Sequence, residues 1–207
     1  LNQSVSVRGG MKDTKFTISG NITDDKGILI NNKYTKHNFR SKISTKKNIF
    51  SIDATMGYMA SKASKHYVPL LDVYMISPLV PVYDKESEGG YGLTNSFWPD
   101  MASNINPIAN TENRKGWQKR QHFDGNIAVG VDIMKGLNYR ISYGYRGNNY
   151  QDIEHARSFI ADPKAPVEYP WHQEERGFWE EHILDNVLSY NNKLGEHSIN
   201  AMLGTSM

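Results

Sequence analysis

Apolar residues return at every second position along most of the chain, and this period of two predicts strands rather than helices. Val5 and Val7 open the pattern, and Phe16, Ile18 and Ile22 then fall on one side while Thr17, Ser19 and Asn21 fall on the other. Phe39 and Ile43 oppose Asn38, Arg40, Lys42 and Ser44, and Phe50, Ile52, Ala54, Met56 and Tyr58 oppose Ser51, Asp53, Thr55 and Gly57. After a gap of about sixty residues the alternation resumes with Phe123, Ile127, Val129, Val131 and Ile133. It turns at Lys135-Gly136 and returns through Leu137, Tyr139, Ile141, Tyr143 and Tyr145. Leu184, Leu188 and Tyr190 mark a less regular strand, and Ile199, Ala201 and Leu203 mark the last, which makes eight strands, each a candidate antiparallel neighbour of the next.

The connections alternate in length. Tight turns are expected at Gly9 to Asp13, Thr45 to Asn48, Lys135-Gly136 and Lys193 to Glu196, and long loops at residues 24–35, 61–121 and 151–181. One end of the sheet would then carry only turns and the other all the loops, as outer-membrane barrels do with their short periplasmic turns and longer extracellular loops. The apolar face is rich in Tyr, Phe and Met, whereas Arg40, Asp53, Asp132, Arg140 and Arg146 fall on the other face and are expected to look into a barrel lumen. Tyr58, Tyr143, Tyr145 and Tyr190 are assigned to the loop-bearing ends, where an interfacial aromatic girdle would sit. The same pattern is compatible with a soluble sandwich whose aromatic residues fill a core.

The expected fold class is therefore all-β, an antiparallel transmembrane β-barrel segment with long extracellular loops. Short turns follow the first, third, fifth and seventh strands, so both chain ends lie on the long-loop side, whereas a complete bacterial barrel ordinarily keeps them on the turn side. With Leu1 opening the chain without a signal peptide and Met207 closing it inside a strand pattern, residues 1–207 are expected to be an interior arc of one barrel domain.

Composition narrows the field without choosing within it. A hydrophobic share of 38% and a mean hydropathy of -0.62 argue against helical membrane spans but not against a barrel, whose strands look hydrophilic on average. The formal net charge of +2 gives no sign of a nucleic-acid partner, although Lys33, Lys36, Arg40, Lys42, Lys46 and Lys47 make a locally basic stretch. The absence of cysteine excludes a disulfide scaffold and thiolate metal sites.

Several short motifs, in order, carry a family resemblance. Gln3 to Gly10 followed by Thr14 to Gly20, then Asp25-Lys26-Gly27-Ile28 and the Tyr34 to Ser44 segment around Asn38-Phe39-Arg40, resemble the first barrel strands of SusC/RagA-like TonB-dependent outer-membrane transporters. Ile76 to Asp84 and Asn106-Pro107-Ile108-Ala109 resemble the same family's long loop, in which a Pro-rich segment precedes an Asn-Pro-hydrophobic-Ala element. The resemblance implies about the second to ninth strands of a twenty-two-stranded barrel, with the plug, the TonB-contacting segment and the remaining strands elsewhere. It further implies active import of a glycan or peptide oligomer across the bacterial outer membrane. The expected partners are a SusD-like surface lipoprotein, the TonB complex and outer-membrane lipid, with pairing of two transporter-lipoprotein units. No enzyme activity, cofactor, metal or nucleic acid is expected.

An oligomer site wants flat aromatic surfaces beside hydrogen-bonding groups. Tyr67, Tyr83, Tyr91 and Trp98 in one loop and Tyr169, Trp171 and Trp179 in the next are the candidates for contact with substrate or with a partner. The competing explanation is that they pack the loops on themselves. His172, Glu174, Glu175, Glu181 and His182 gather metal-ligating types without a zinc spacing, and Asp24 and Asp25 beside Gly27 lack the remaining ligands of a calcium loop. Two further readings remain at this stage. One is a passive porin or barrel enzyme, which needs no plug; the other is a secreted β-sandwich that binds carbohydrate as an adhesion module and needs no detergent.

Overall fold

Alternation along the chain becomes one antiparallel meander. The computed structural model describes residues 1–65, 70–93, 105–162 and 164–207. Its strands are β1 (Asn2–Met11), β2 (Thr14–Lys26), β3 (Lys33–Lys47), β4 (Phe50–Lys65), β5 (Arg114–Met134), β6 (Leu137–Ala156), β7 (Trp171–Leu194) and β8 (His197–Ser206). They pair in sequence order in a single eight-stranded sheet, and two short helices, α1 (Leu70–Met75) and α2 (Pro107–Asn113), lie in the connection between β4 and β5. No helix among the described residues is long and apolar enough to cross a membrane.

Two-residue turns join β1 to β2, β3 to β4, β5 to β6 and β7 to β8, all at one end. Asn48, Gly136 and Gly195 take left-handed backbone at three of them, the conformation that tight hairpins need. At Gly136 the requirement is doubled, because a Cβ there would also lie 2.5 Å from the Asn191 carbonyl oxygen.

The long connections are shorter than the alternation suggests: residues 27–32, 66–113 and 157–170 instead of 24–35, 61–121 and 151–181. The strands continue past the apolar stretch into segments that are polar on both faces, where pairing persists but the period-two hydrophobic signal vanishes. Trp171 and Trp179 are consequently residues of β7 rather than of a loop. Tyr143 and Tyr190 also depart from expectation, since Tyr143 pairs with Ile127 in the middle of the wall and Tyr190 pairs with Leu137 and Ala201 at the turn end of the sheet.

Register sorts the side chains cleanly. Ile43, Ala54, Ile127, Tyr143 and Leu184 form one row across β3 to β7, and Ile127 keeps 49% of its surface exposed. Phe39, Tyr58 and Phe123 form the row that closes this apolar band on the loop side, with the Phe123 and Tyr145 rings 5.8 Å apart. From Phe50 to Tyr58 the band runs for about 26 Å along the strand, and a barrel tilt of 35–45° would make it roughly 20 Å tall, near the ~25 Å apolar belt of outer-membrane barrels.

The opposite face is polar and internally paired. Asp53 accepts from Ser44 at 2.6 Å and from Arg140 at 2.9 Å; Asp132 accepts from Lys46 and from Asn138, both at 2.8 Å. Among the described residues no second sheet lies against either face. The hydrophobic core sits instead in the loops, where Ala109, Ala156, Phe159 and Ala161 are buried together, with Tyr91, Ile105, Val167 and Trp171 against them.

Candidate functional site

The polar face and the loop cap above it meet at the loop-bearing end of β4 to β7. Asn106 is the joint of the cap. Its Oδ1 accepts from the amides of Ile108 and Ala109 at 3.0 and 3.1 Å, capping α2, while its Nδ2 donates to the carbonyls of Val82 and Gly92, both at 3.0 Å. Pro107 then occupies the first helical turn, where a missing N–H costs nothing, and Ala109 is 0% exposed, so no larger side chain fits. The Asn-Pro-hydrophobic-Ala element and the Pro-rich segment carrying Val82 are thus two halves of one joint.

Glu112, at the end of α2, accepts from Tyr83 at 2.7 Å and from Tyr91 at 2.8 Å. These two hydroxyl donors hold its carboxyl below the usual glutamate value. The carboxylate in turn raises Tyr83, while burial followed by the same carboxylate raises Tyr91. Tyr83 and Tyr91 therefore brace the loop, and their rings lie 5.8 Å apart. Trp171 packs into the loop core. Of the aromatic candidates, Tyr169, Tyr83 and Trp179 keep large free surfaces, 77%, 59% and 52% exposed. Tyr67 and Trp98 lie outside the described residues.

All five charged positions expected to face a lumen share one face. Arg40, Gly57, Asp124, Arg146 and Glu181 form a single cross-strand row, and Arg146 reaches Glu181 at 3.2 Å. Asp53 and Arg140 lie on the same side, as does Asp132, which pairs with Asn138. Arg40 lines a recess of about 480 Å3 with Lys36, Asn38, His122 and Asp124, and Gly57 leaves the space into which the Asp124 carboxylate leans.

Farther toward the loops the face carries groups that the alternation did not single out. The Tyr150 ring lies across Gly177, where any Cβ would collide with it, and the Arg120 guanidinium stacks 4.8 Å from its centre. Tyr150 donates to Glu175 at 3.0 Å, and Arg120 faces Asp152 at 3.5 Å. Trp179 pairs with Asn148 on the same side. This surface offers flat rings beside charged and amide groups of both hydrogen-bonding senses, which suits an oligomer with hydroxyl, amide or charged substituents. Recognising these segments as strands would have revealed them, because counting by two from Arg146 reaches Tyr150, Asp152 and Glu154.

The histidine and carboxylate gathering in β7 is split by the same alternation. Glu175 and Glu181 project to the polar face, and His172, Glu174 and His182 to the other. Among the described residues no group of three such side chains is placed to hold a metal ion.

No family model matches the chain. TonB-dependent receptor P3 of Formosa agariphila is 22% identical over 222 residues, which takes in 99% of this chain and 21% of that protein. A chain of the RagAB peptide importer, solved in its closed-closed state, superposes with a TM-score of 0.66 at 13% identity, over 98% of this chain and 23% of that one. The chain thus spans about a fifth of the length of the relatives it matches. It has the fold of an eight-stranded arc of a TonB-dependent transporter barrel, in agreement with the SusC/RagA-like resemblance of its motifs.

Proposed function

We propose that this chain is part of the wall and mouth of a longer TonB-dependent transporter that imports a nutrient oligomer, glycan or peptide, across the bacterial outer membrane. The observation that carries the reading is the reversal of sheet polarity: the exposed face is apolar and girdled by aromatic rings, while the charged face is cross-linked by ion pairs. A sheet of that kind is favoured where lipid covers the first face and a closed, polar interior the second. A soluble adhesion sandwich would need a second sheet over the apolar face, and the meander supplies none among the described residues.

In this reading Arg40, Asp53, Asp132, Arg140 and Arg146 look into the lumen. Tyr169 and Trp179 meet substrate or a SusD-like lipoprotein at the mouth, and Tyr83, Tyr91 and Trp171 brace the loops beside them. Tyr67 and Trp98 are further candidates for the same contacts. Energy reaches the site through a plug and the TonB complex, and the chain itself performs transport rather than catalysis.

The test is uptake by the intact transporter in its own bacterium, with glycan and peptide oligomers supplied separately as sole nutrients. Trp179→Ala combined with Tyr169→Ala is expected to lower uptake of one class by about tenfold, the loss of one to two stacked rings, while the folded protein remains in the outer membrane with its lipoprotein. A water-soluble protein that neither enters the membrane fraction nor accompanies a lipoprotein would overturn the proposal.

A further inference from the structure

On the apolar side of the sheet, the rows beyond the aromatic girdle become cationic. Lys62 of β4 pairs directly with Lys119 of β5, and Lys26 of β2 pairs directly with Lys33 of β3. All four belong to the outward register that includes Tyr58, Phe123 and Ile22. Like charges directly opposite one another repel, and two such pairs on neighbouring strands call for an anion to offset them. Asp24 reaches Lys33 at 3.7 Å; among the described residues no carboxylate forms an ion pair with Lys26, Lys62 or Lys119.

These residues edge a cleft of about 520 Å3 between the β2–β3 connection and the ends of β4 and β5. Lys26, Lys33, Lys62, Ser64, Lys115 and Trp117 line it. The Lys62 ammonium lies 5.1 Å from the centre of the Trp117 ring, which holds it at the cleft. Trp117 Nε1, from a residue lining the cleft, is a buried donor without a hydrogen-bond partner. Buried donors are seldom left unpaired unless something else supplies the acceptor.

Height along the strand identifies the occupant. Lys62 and Lys119 each stand four residues beyond the Tyr58–Phe123 row, about 13 Å along the strand and roughly 10 Å after tilt. That is the level at which headgroups begin to give way to water. We propose that the cleft binds the phosphate groups of an outer-leaflet glycolipid of the lipid A kind, fixing the barrel wall to the lipid around it. The inference rests on the transporter reading, because it takes the apolar face to be lipid-facing. An imported oligomer on the polar face would not meet these lysines.

The experiment uses the full-length transporter extracted in detergent from outer membranes, with retained lipid A counted by native mass spectrometry. Lys62→Glu with Lys119→Glu is expected to reduce retention by about tenfold, and Lys62→Gln with Lys119→Gln by several-fold, in keeping with the surface attraction of basic clusters for anionic lipid. Reconstituted in phosphatidylcholine vesicles with and without lipid A, the wild-type protein should melt higher with it, and the glutamine variant should show little of that gain. Equal retention in wild type and variants, or a gain reproduced by inorganic phosphate alone, overturns the inference while leaving the transporter intact. Failure of the wild-type protein to insert into either vesicle overturns both readings.

Discussion

In the middle of the strand wall Ile127 leaves 49% of its surface uncovered, while in the loop cap Ala109 leaves 0%. The wall is a single layer whose ladder satisfies the backbone and whose apolar side chains stay exposed among the described residues. The cap is a small conventional core in which Phe159, Ala156 and Ala161 close around α2 and a buried asparagine joins three segments. The difference teaches where each region draws its stability. Under the proposed function, lipid supplies to the wall what protein atoms supply to the cap, so the two should respond to different insults.

The sharpest attempt to break that contrast is Ile127→Arg. Placed in the central row of the apolar face, it should destabilise folding into bilayers by about 2 to 4 kcal/mol. Thr55→Arg, one strand away on the polar face, should cost a small fraction of that. Urea titration of vesicle-inserted protein measures both, and equal penalties would mean that the two faces do not see different surroundings.

Asn106→Ala should produce the converse. It removes the α2 cap and strands the carbonyls of Val82 and Gly92, a local cost of about 2 to 3 kcal/mol. Hydrogen exchange should accelerate across α2 and residues 80–93, while the heat-modified shift of the barrel on gels stays unchanged. A collapse of the barrel together with the cap would show that the two are one cooperative unit.

Arg140→Ala tests the polar face alone. Its ion pair with Asp53 is partly exposed, so the loss should stay under about 1 kcal/mol. A much larger loss would reveal a drier interior than the exposed ladder suggests.

The smallest effect expected is that of pH on the cap. Glu112 titrates below its ordinary value, so its pairing favours the closed loop above the usual glutamate range and is lost as pH falls through the lowered value. Tyr83 and Tyr91 titrate above theirs, so their contribution holds below the usual tyrosine range and fades as pH rises through the raised values. Exchange of the α2 amides, corrected for intrinsic pH dependence, should be slowest on the plateau between, and Glu112→Gln should abolish the acid edge and, by removing the carboxylate that raises both tyrosines, weaken the alkaline one.

Much of the wall was legible from residue order because its central strands separate a greasy face from a polar one. Phe50 to Tyr58 and Ile127 to Tyr143 announce themselves by period two, and all five charged positions fall on the face that parity assigns them. Legibility ends where the chain becomes polar on both sides, as at Gln151 beside Asp152 or Arg176 beside Glu175. There the strand is held by pairing with neighbours rather than by any hydrophobic difference, so Tyr150, Arg120 and the strand placement of Trp171 and Trp179 were hidden. In the cap, the Asn106-Pro107 signal was recognisable as a motif, but its bonds to Val82 and Gly92 depend on a fold of the loop that spacing does not encode.

From Tyr145 to Ala156, β6 continues in register with both neighbours, a rise of about 36 Å along the strand. The rim bearing Tyr150 and Trp179 has therefore already given up its backbone freedom when the sheet forms. The connection between β2 and β3 is confined to residues 27–32, and so short a loop has little entropy left to lose. Under the proposed function, capture of an oligomer against this rim would demand ordering chiefly from the ligand, so the receptor side of the encounter behaves as a stiff template and selectivity is set by shape rather than by induced closure of the wall.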